Sequence, residues 1–384
     1  MSRDLHPDRP TVYFDQWVWI RLSSARAGHP REVGDLRVLE AARRASVAGV
    51  VFPLSSTHYV ETLKRKNPLD RAEVAAVMAE ISHCRTLRSR RRLLDNQMLT
   101  AMHDLFGRPT FRPPRPDVLG VGTHWAFVGD QHQLNVHGPE EVLDQARSLL
   151  PRDDLCRLQQ WTETRFLAGP PDEQIKVLRE RYGYRPEKTE EMSRSRLEWE
   201  QLLAGLLAEN SVGPAELRFR VRAREMFHEH IDRLIELFGD YGLRLSHLFG
   251  DPNRPVADNR HQLTSFVEAA PSIRLAADLK AELFRNKTGW KINHLHDVDA
   301  MSIAVPYCHV VVPDREIFDL MSRTKAGQSN RTIIVRHLLD LVDVLGTLEE
   351  RAERLGGDRS GWDWLARGIG FDPQPPEALW PRSA

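Results

Sequence analysis

Two short apolar runs rich in β-branched and aromatic residues, TVYF at 11–14 and HVVVP at 309–313, lie near opposite ends of the chain, and each is followed directly by an aspartate. Runs of this length and composition suit buried strands, so Asp15 and Asp314 are expected at strand tips. Between them, RAEVAAVMAEI, RLEWEQLLAGLLAE and EMFHEHIDRLIELFGDYGLRLSHLF carry apolar residues at helical spacing, with few strand-like runs. The expected organisation is therefore a core split between residues 10–66 and 291–350. A mostly helical insertion occupies 67–290, and a tail follows over 351–384.

Local signals refine this outline. The spacing predicts a helix over Asp35–Ala48, a strand in GVVFPLS, and a helix in SSTHYVETLKRK that Ser55 or Ser56 can cap and that carries Glu61. Towards the C-terminus, DVDAMSIAVPYC reads as a short helix ended before Pro306, and RTIIVRHLLDLVDVL as a strand or apolar segment running into a helix. The stretch from Gly107 to Glu141, rich in Pro, Gly and His, reads as a long loop.

The chain has 384 residues, 41% hydrophobic and 28% charged, a composition that folds. Lysine plus arginine equals aspartate plus glutamate at 54 each, so any contact with a polyanion must be local. Three cysteines, Cys84, Cys156 and Cys308, are too far apart for a disulfide framework or a zinc site, which favours a reducing cytoplasm. The N-terminal MSRDLHPDRP is not followed by an apolar segment, and no run approaches a membrane span, so neither a signal peptide nor an anchor is expected.

In an open α/β sheet, ligands gather beyond the C-terminal ends of the strands. Asp15, Glu61, Asp297, Asp299 and Asp314 all belong to segments that can reach such an edge. Each has an ordinary alternative, since Asp caps helices and turns and Glu61 can pair with Arg65 four residues on. Carboxylates brought together repel by about 4 kcal/mol per pair at 4 Å and an effective dielectric near 20, which a hard cation such as Mg²⁺ or Mn²⁺ would offset.

Four acidic segments taken in order, YFDQWVWI, LSSTHYVETLKR and then NHLHDVDAMSIAVPYCHVVVPDREI for the last two, resemble the PIN and PIN-like domain nucleases. The resemblance covers roughly residues 10 to 66 and 290 to 345. It implies an α/β, Rossmann-like open sheet, mainly parallel, interrupted here by an insertion that the family usually lacks. It also implies phosphodiester hydrolysis, usually of RNA, by an acidic quartet that binds divalent metal. The metal and catalytic roles fall on Asp15, Glu61, Asp297 and Asp314; Asp299 competes with Asp297 for the third position, with Asp297 preferred.

Ser55, Ser56 and Asn293 would border the acids and orient water or phosphate. The densest basic runs, KRKNP with Lys64 and RSRRR with Arg88, Arg90, Arg91 and Arg92, are candidates for the phosphate backbone, although a charge run is most often a solvated helix face. His228 and His230 do not share a helical face, and His124, His132 and His137 lack a ligand pattern. A DNA or structure-specific nuclease, or a non-catalytic PIN-like binding protein, is the competing reading. The helical insertion could bind a protein partner or a second copy.

Overall fold

The computed structural model describes residues 5–130, 152–209, 212–250, 255–285 and 289–355. Its elements begin with β1 (Val12–Phe14), α1 (Gln16–Arg26), α2 (Gly34–Val47), α3 (Ser56–Leu63), α4 (Pro68–Ser82) and β2 (Arg85–Leu87). Next come α5 (Arg90–Phe106), β3 (Leu119–Val121), α6 (Gly122–Phe127), α7 (Arg152–Ala168), α8 (Asp172–Tyr182), α9 (Pro186–Glu209) and α10 (Pro214–Arg224). After a π turn at Glu225–Glu229 follow α11 (Ile231–Asp240), α12 (Ser246–Phe249), α13 (Val256–Ala269), α14 (Pro271–Arg285) and α15 (Ile292–Tyr307). The last are β4 (Val310–Val312), α16 (Arg315–Thr324), α17 (Ala326–Asn330), β5 (Ile333–Ile334) and α18 (Leu341–Arg354). The chain is mixed α/β and mostly helical. Among the described residues no helix is long and apolar enough to cross a membrane.

The chain divides into two compact units. Of the described residues, the N-terminal unit comprises 7–89, 119–130, 152–182 and 335–355. In it β1 is wholly buried, and its backbone meets the next extended segment through Val12 N–H to Val51 O and Val51 N–H to Pro10 O, both 2.8 Å. That segment bridges β2 in parallel at Leu54 and Thr86, and β2 pairs antiparallel with β3. The expected strand in GVVFPLS is thus reduced to single bridges on either side of Pro53, which has no N–H to give a ladder. Helix α1 packs on α2 and α4, α18 on α2, and α7 on α3 and α4.

Of the described residues, the central unit comprises 5–6, 90–118, 183–209, 212–250, 255–285 and 289–334. Here β4 pairs in parallel with β5, Val310 opposite Ile333 and Val311 opposite Ile334. Helix α14 packs against α10, α15 and α16. Leu217 and Val221, one turn apart on α10, meet Ala277 and Ala281, one turn apart on α14, so two small side chains admit a close helix contact. Residues 291–334 pack with the helices before them, because α15 buries one face on α14.

Helix α15 also differs from expectation at its end, since it runs through Pro306 to Tyr307. A proline so close to the C-terminus forfeits a backbone bond only in the last turn. The tail beyond Leu355, and His132 and His137, lie outside the described residues.

Candidate functional site

Asp15 follows β1 and is the N-cap of α1, with φ −71° and ψ 161°; its Oδ1 accepts the Gln16 N–H at 2.8 Å. Such a carboxylate satisfies a donor that the helix itself cannot, and its charge complements the helix N-terminus. Glu61 is half-buried on α3, three residues after His58. The N-terminus of α3 is set by Ser55, whose N–H donates to His58 Nδ1 at 2.9 Å. Tyr13 and Ser55 share a hydroxyl hydrogen bond of 2.9 Å, and Gln16 Nε2 donates to Thr62 Oγ1 at 3.0 Å. These bonds tie β1 and the start of α1 to α3, the helix that carries Glu61. Ser56 is the first residue of α3, whereas Ser55 caps it.

His58 is fully buried, and its Nε2 meets the Phe14 carbonyl at 2.8 Å. Burial pushes its pKa down to about 4, against the smaller opposing effect of the bond to Phe14, so the ring is neutral near pH 7. Trp19 is also fully buried, with its ring edge-on to Phe14 at 5.0 Å, so it serves the core.

In the central unit Asp314 stands two residues beyond β4 as the N-cap of α16, with φ −69° and ψ 172°. Its Oδ1 accepts the Ile317 N–H at 2.8 Å. Asp297 is half-buried in the second turn of α15, and Asn293 is exposed in the first. His294, buried at the third position of that helix, meets Glu316 Oε1 at 3.0 Å through Nε2.

Asp299 has a different environment. Arg196 of α9 donates to both its oxygens, at 2.7 and 3.3 Å, and Arg90 at the start of α5 approaches to 3.7 Å. Burial opposes the charge, yet Arg90 and Arg196 hold the carboxyl well below the usual carboxylate range. Behind this pair, Lys280 is buried among Glu225 at 2.7 Å, Glu200 at 3.2 Å and Glu229 at 3.8 Å. Asp299 therefore belongs to an internal ion network that the sequence reading did not foresee. Its partners lie far away in sequence and carry no local signal.

The basic run divides as well. Arg88 lies over the Trp125 ring at 4.7 Å and approaches Asp130 at 3.6 Å. Arg90 faces Asp299, whereas Arg91, Arg92 and Lys64 are exposed. His230, one of the two histidines of FHEH, is buried with its pKa pushed down to about 4, chiefly by burial. Among the described residues, no group of three or more His, Cys, Asp or Glu side chains is arranged to hold a metal ion. Comparison with known protein families, with characterised proteins and with solved structures finds no match to the chain.

Proposed function

We propose that the chain is a metal-dependent nuclease with a PIN-like core, hydrolysing phosphodiester bonds in RNA before DNA, with Mg²⁺ or Mn²⁺ as cofactor. One observation carries the reading: Asp15 and Asp314 occupy the same local position, at the C-terminal tip of a buried strand and the N-cap of the helix that follows. Carboxylates at strand tips followed by helix N-termini are where open α/β folds gather polar ligands. A divalent ion at such acids supplies Lewis acidity and an ionised water. Asp297 joins Asp15, Glu61 and Asp314 in this proposal, and Asp299 is set aside because two arginines hold it. A cytoplasmic setting goes with the reading, as the three cysteines lie far apart in sequence.

A second reading is a non-catalytic nucleic-acid-binding protein of the same fold, to which the exposed Arg91 would lend a phosphate contact. Labelled RNA and DNA incubated with Mg²⁺ or Mn²⁺, with and without chelator, separate the two. Cleavage that stops in chelator and in Asp15→Asn is the expected result, since that substitution removes a charge but hardly any volume. Full cleavage in either condition overturns the nuclease mechanism. Binding without cleavage under both metals establishes the second reading instead.

A further inference from the structure

The helices that carry Glu61 and Asp297 open alike. In α3 the Ser55 N–H donates to Nδ1 of His58 at 2.9 Å, and in α15 the Lys291 N–H donates to Nδ1 of His294 at 3.2 Å. Both histidines are the third residue of their helix, where a capping box ordinarily places Glu or Gln to reach back to the N-cap N–H. In each, the acid follows three residues later, on the same helical face: S-S-T-H-Y-V-E at 55–61 and K-I-N-H-L-H-D at 291–297.

Because Nδ1 accepts, each ring carries its proton on Nε2 and donates outward. The His58 Nε2–H reaches the carbonyl of Phe14, the residue directly before Asp15. The His294 Nε2–H reaches the Glu316 carboxylate, two residues beyond Asp314 in the helix that Asp314 caps. The targets differ in kind, but both lie beside a strand-tip aspartate. The two aspartates share a backbone conformation to within about 11° in either angle.

We propose that these are two copies of one device, in which His58 and His294 are positioning residues that tie the helix bearing Glu61 or Asp297 to the strand-tip Asp15 or Asp314. Asp297 is then the counterpart of Glu61, which decides between it and Asp299 on geometry internal to the central unit. Glu316, held by His294 and approached by Lys291 at 3.5 Å, becomes a further acid of the site. The catalytic part of this inference rests on the nuclease reading, whereas the tie itself does not.

The two bonds of each ring can be separated. Asparagine places its oxygen near Nδ1 and keeps the helix-opening bond; glutamine places its NH₂ near Nε2 and keeps the outward one. Four variants, His58→Asn, His58→Gln, His294→Asn and His294→Gln, are compared by hydrogen exchange at the Gln16 and Ile317 amides, which report the Asp15 and Asp314 caps. Cleavage kinetics are measured alongside.

The expected result is that each asparagine variant speeds exchange at its own reporter amide, Gln16 for His58 and Ile317 for His294, while glutamine leaves it as in wild type. In kinetics, asparagine should lower kcat by about 100-fold with KM little changed, the scale of a misplaced catalytic group, and glutamine should restore it. Equal exchange in the two variants of a pair overturns the tie, whatever the kinetics. If the wild type cleaves neither polymer, the nuclease reading fails and the exchange result still decides the tie. Selective exchange with equal kcat keeps the tie and removes its catalytic role.

Discussion

Arg196 holds Asp299 through both carboxylate oxygens, at 2.7 and 3.3 Å, across 103 residues of sequence. An acid so engaged supports the junction of α9 with α15, and its charge is already matched by Arg196 and Arg90. Asp299→Asn should destabilise the protein by about 2–3 kcal/mol, the cost of weakening hydrogen bonds to charged groups and leaving guanidinium groups unmatched. It should also leave any Mg²⁺-induced rise in Tm unchanged. Urea denaturation and melting with and without Mg²⁺ check both; a loss of the Mg²⁺ response would return Asp299 to the ligand set.

The Lys280 ammonium is the deepest member of the same network. Burial disfavours its charge, and Glu225, Glu200 and Glu229 outweigh that to raise its pKa. Lys280→Met should cost about 3–5 kcal/mol, since it leaves buried carboxylates without their cation. Adding Glu225→Gln should recover part of the loss, a non-additivity that a double-mutant cycle by denaturation measures directly. Additive losses would show that the Lys280–Glu225 contact at 2.7 Å contributes no coupling.

Stability should fall as the pH drops from about 6.5 to 4. His58 has its folded pKa lowered to about 4, chiefly by burial, so the unfolded chain takes up a proton in this window that the folded one refuses. The sign follows: the contribution is complete above the unfolded pKa of about 6.5 and is lost as pH falls through the folded value, worth about 3 kcal/mol in all. His230 shares the window and the sign. His58→Gln should therefore flatten a plot of unfolding free energy against pH between 4 and 6.5 while leaving the His230 part. An unchanged slope would mean that His58 titrates normally.

How far the sequence could be read depended on the range of each interaction. TVYF and HVVVP declare themselves because a buried strand must be apolar throughout, and the aspartates after them cap helices as the local pattern requires. The helix start at Ser55 and the helical middle were legible for the same reason. His58 and His294 stand at a position where a capping box ordinarily carries Glu or Gln, so their spacing alone does not announce the bond each makes to its N-cap N–H. The assignment of Asp299 to an ion network depends on Arg196 and Arg90, neither of them near it in sequence. No local pattern encodes such a pairing, and none encodes the division that places residues 291–334 with the central helices.

The basic run after β2 provides the last prediction, and the structure narrows it to two residues. Arg88 is occupied by the Trp125 ring and the Gly129 carbonyl, and Arg90 by Asp299. Arg91 keeps 73% of its side chain exposed, with Glu236 no nearer than 4.0 Å, and Arg92 is exposed beside it in the first turn of α5. Cations at a helix N-terminus oppose the macrodipole by some tenths of a kcal/mol each, a cost that a phosphate partner would reverse. Arg91→Gln with Arg92→Gln should therefore weaken RNA binding and flatten the dependence of log affinity on log salt by about 1.4, near 0.7 for each lost single-strand phosphate contact. Arg88→Gln should leave that slope unchanged, because its guanidinium is turned to Trp125. Turnover at saturating RNA should change little in the double variant, since contacts made equally to ground state and transition state act on binding alone. Filter binding across a salt series decides the matter: an unchanged affinity and slope in the double variant would make the run an ordinary solvated helix face.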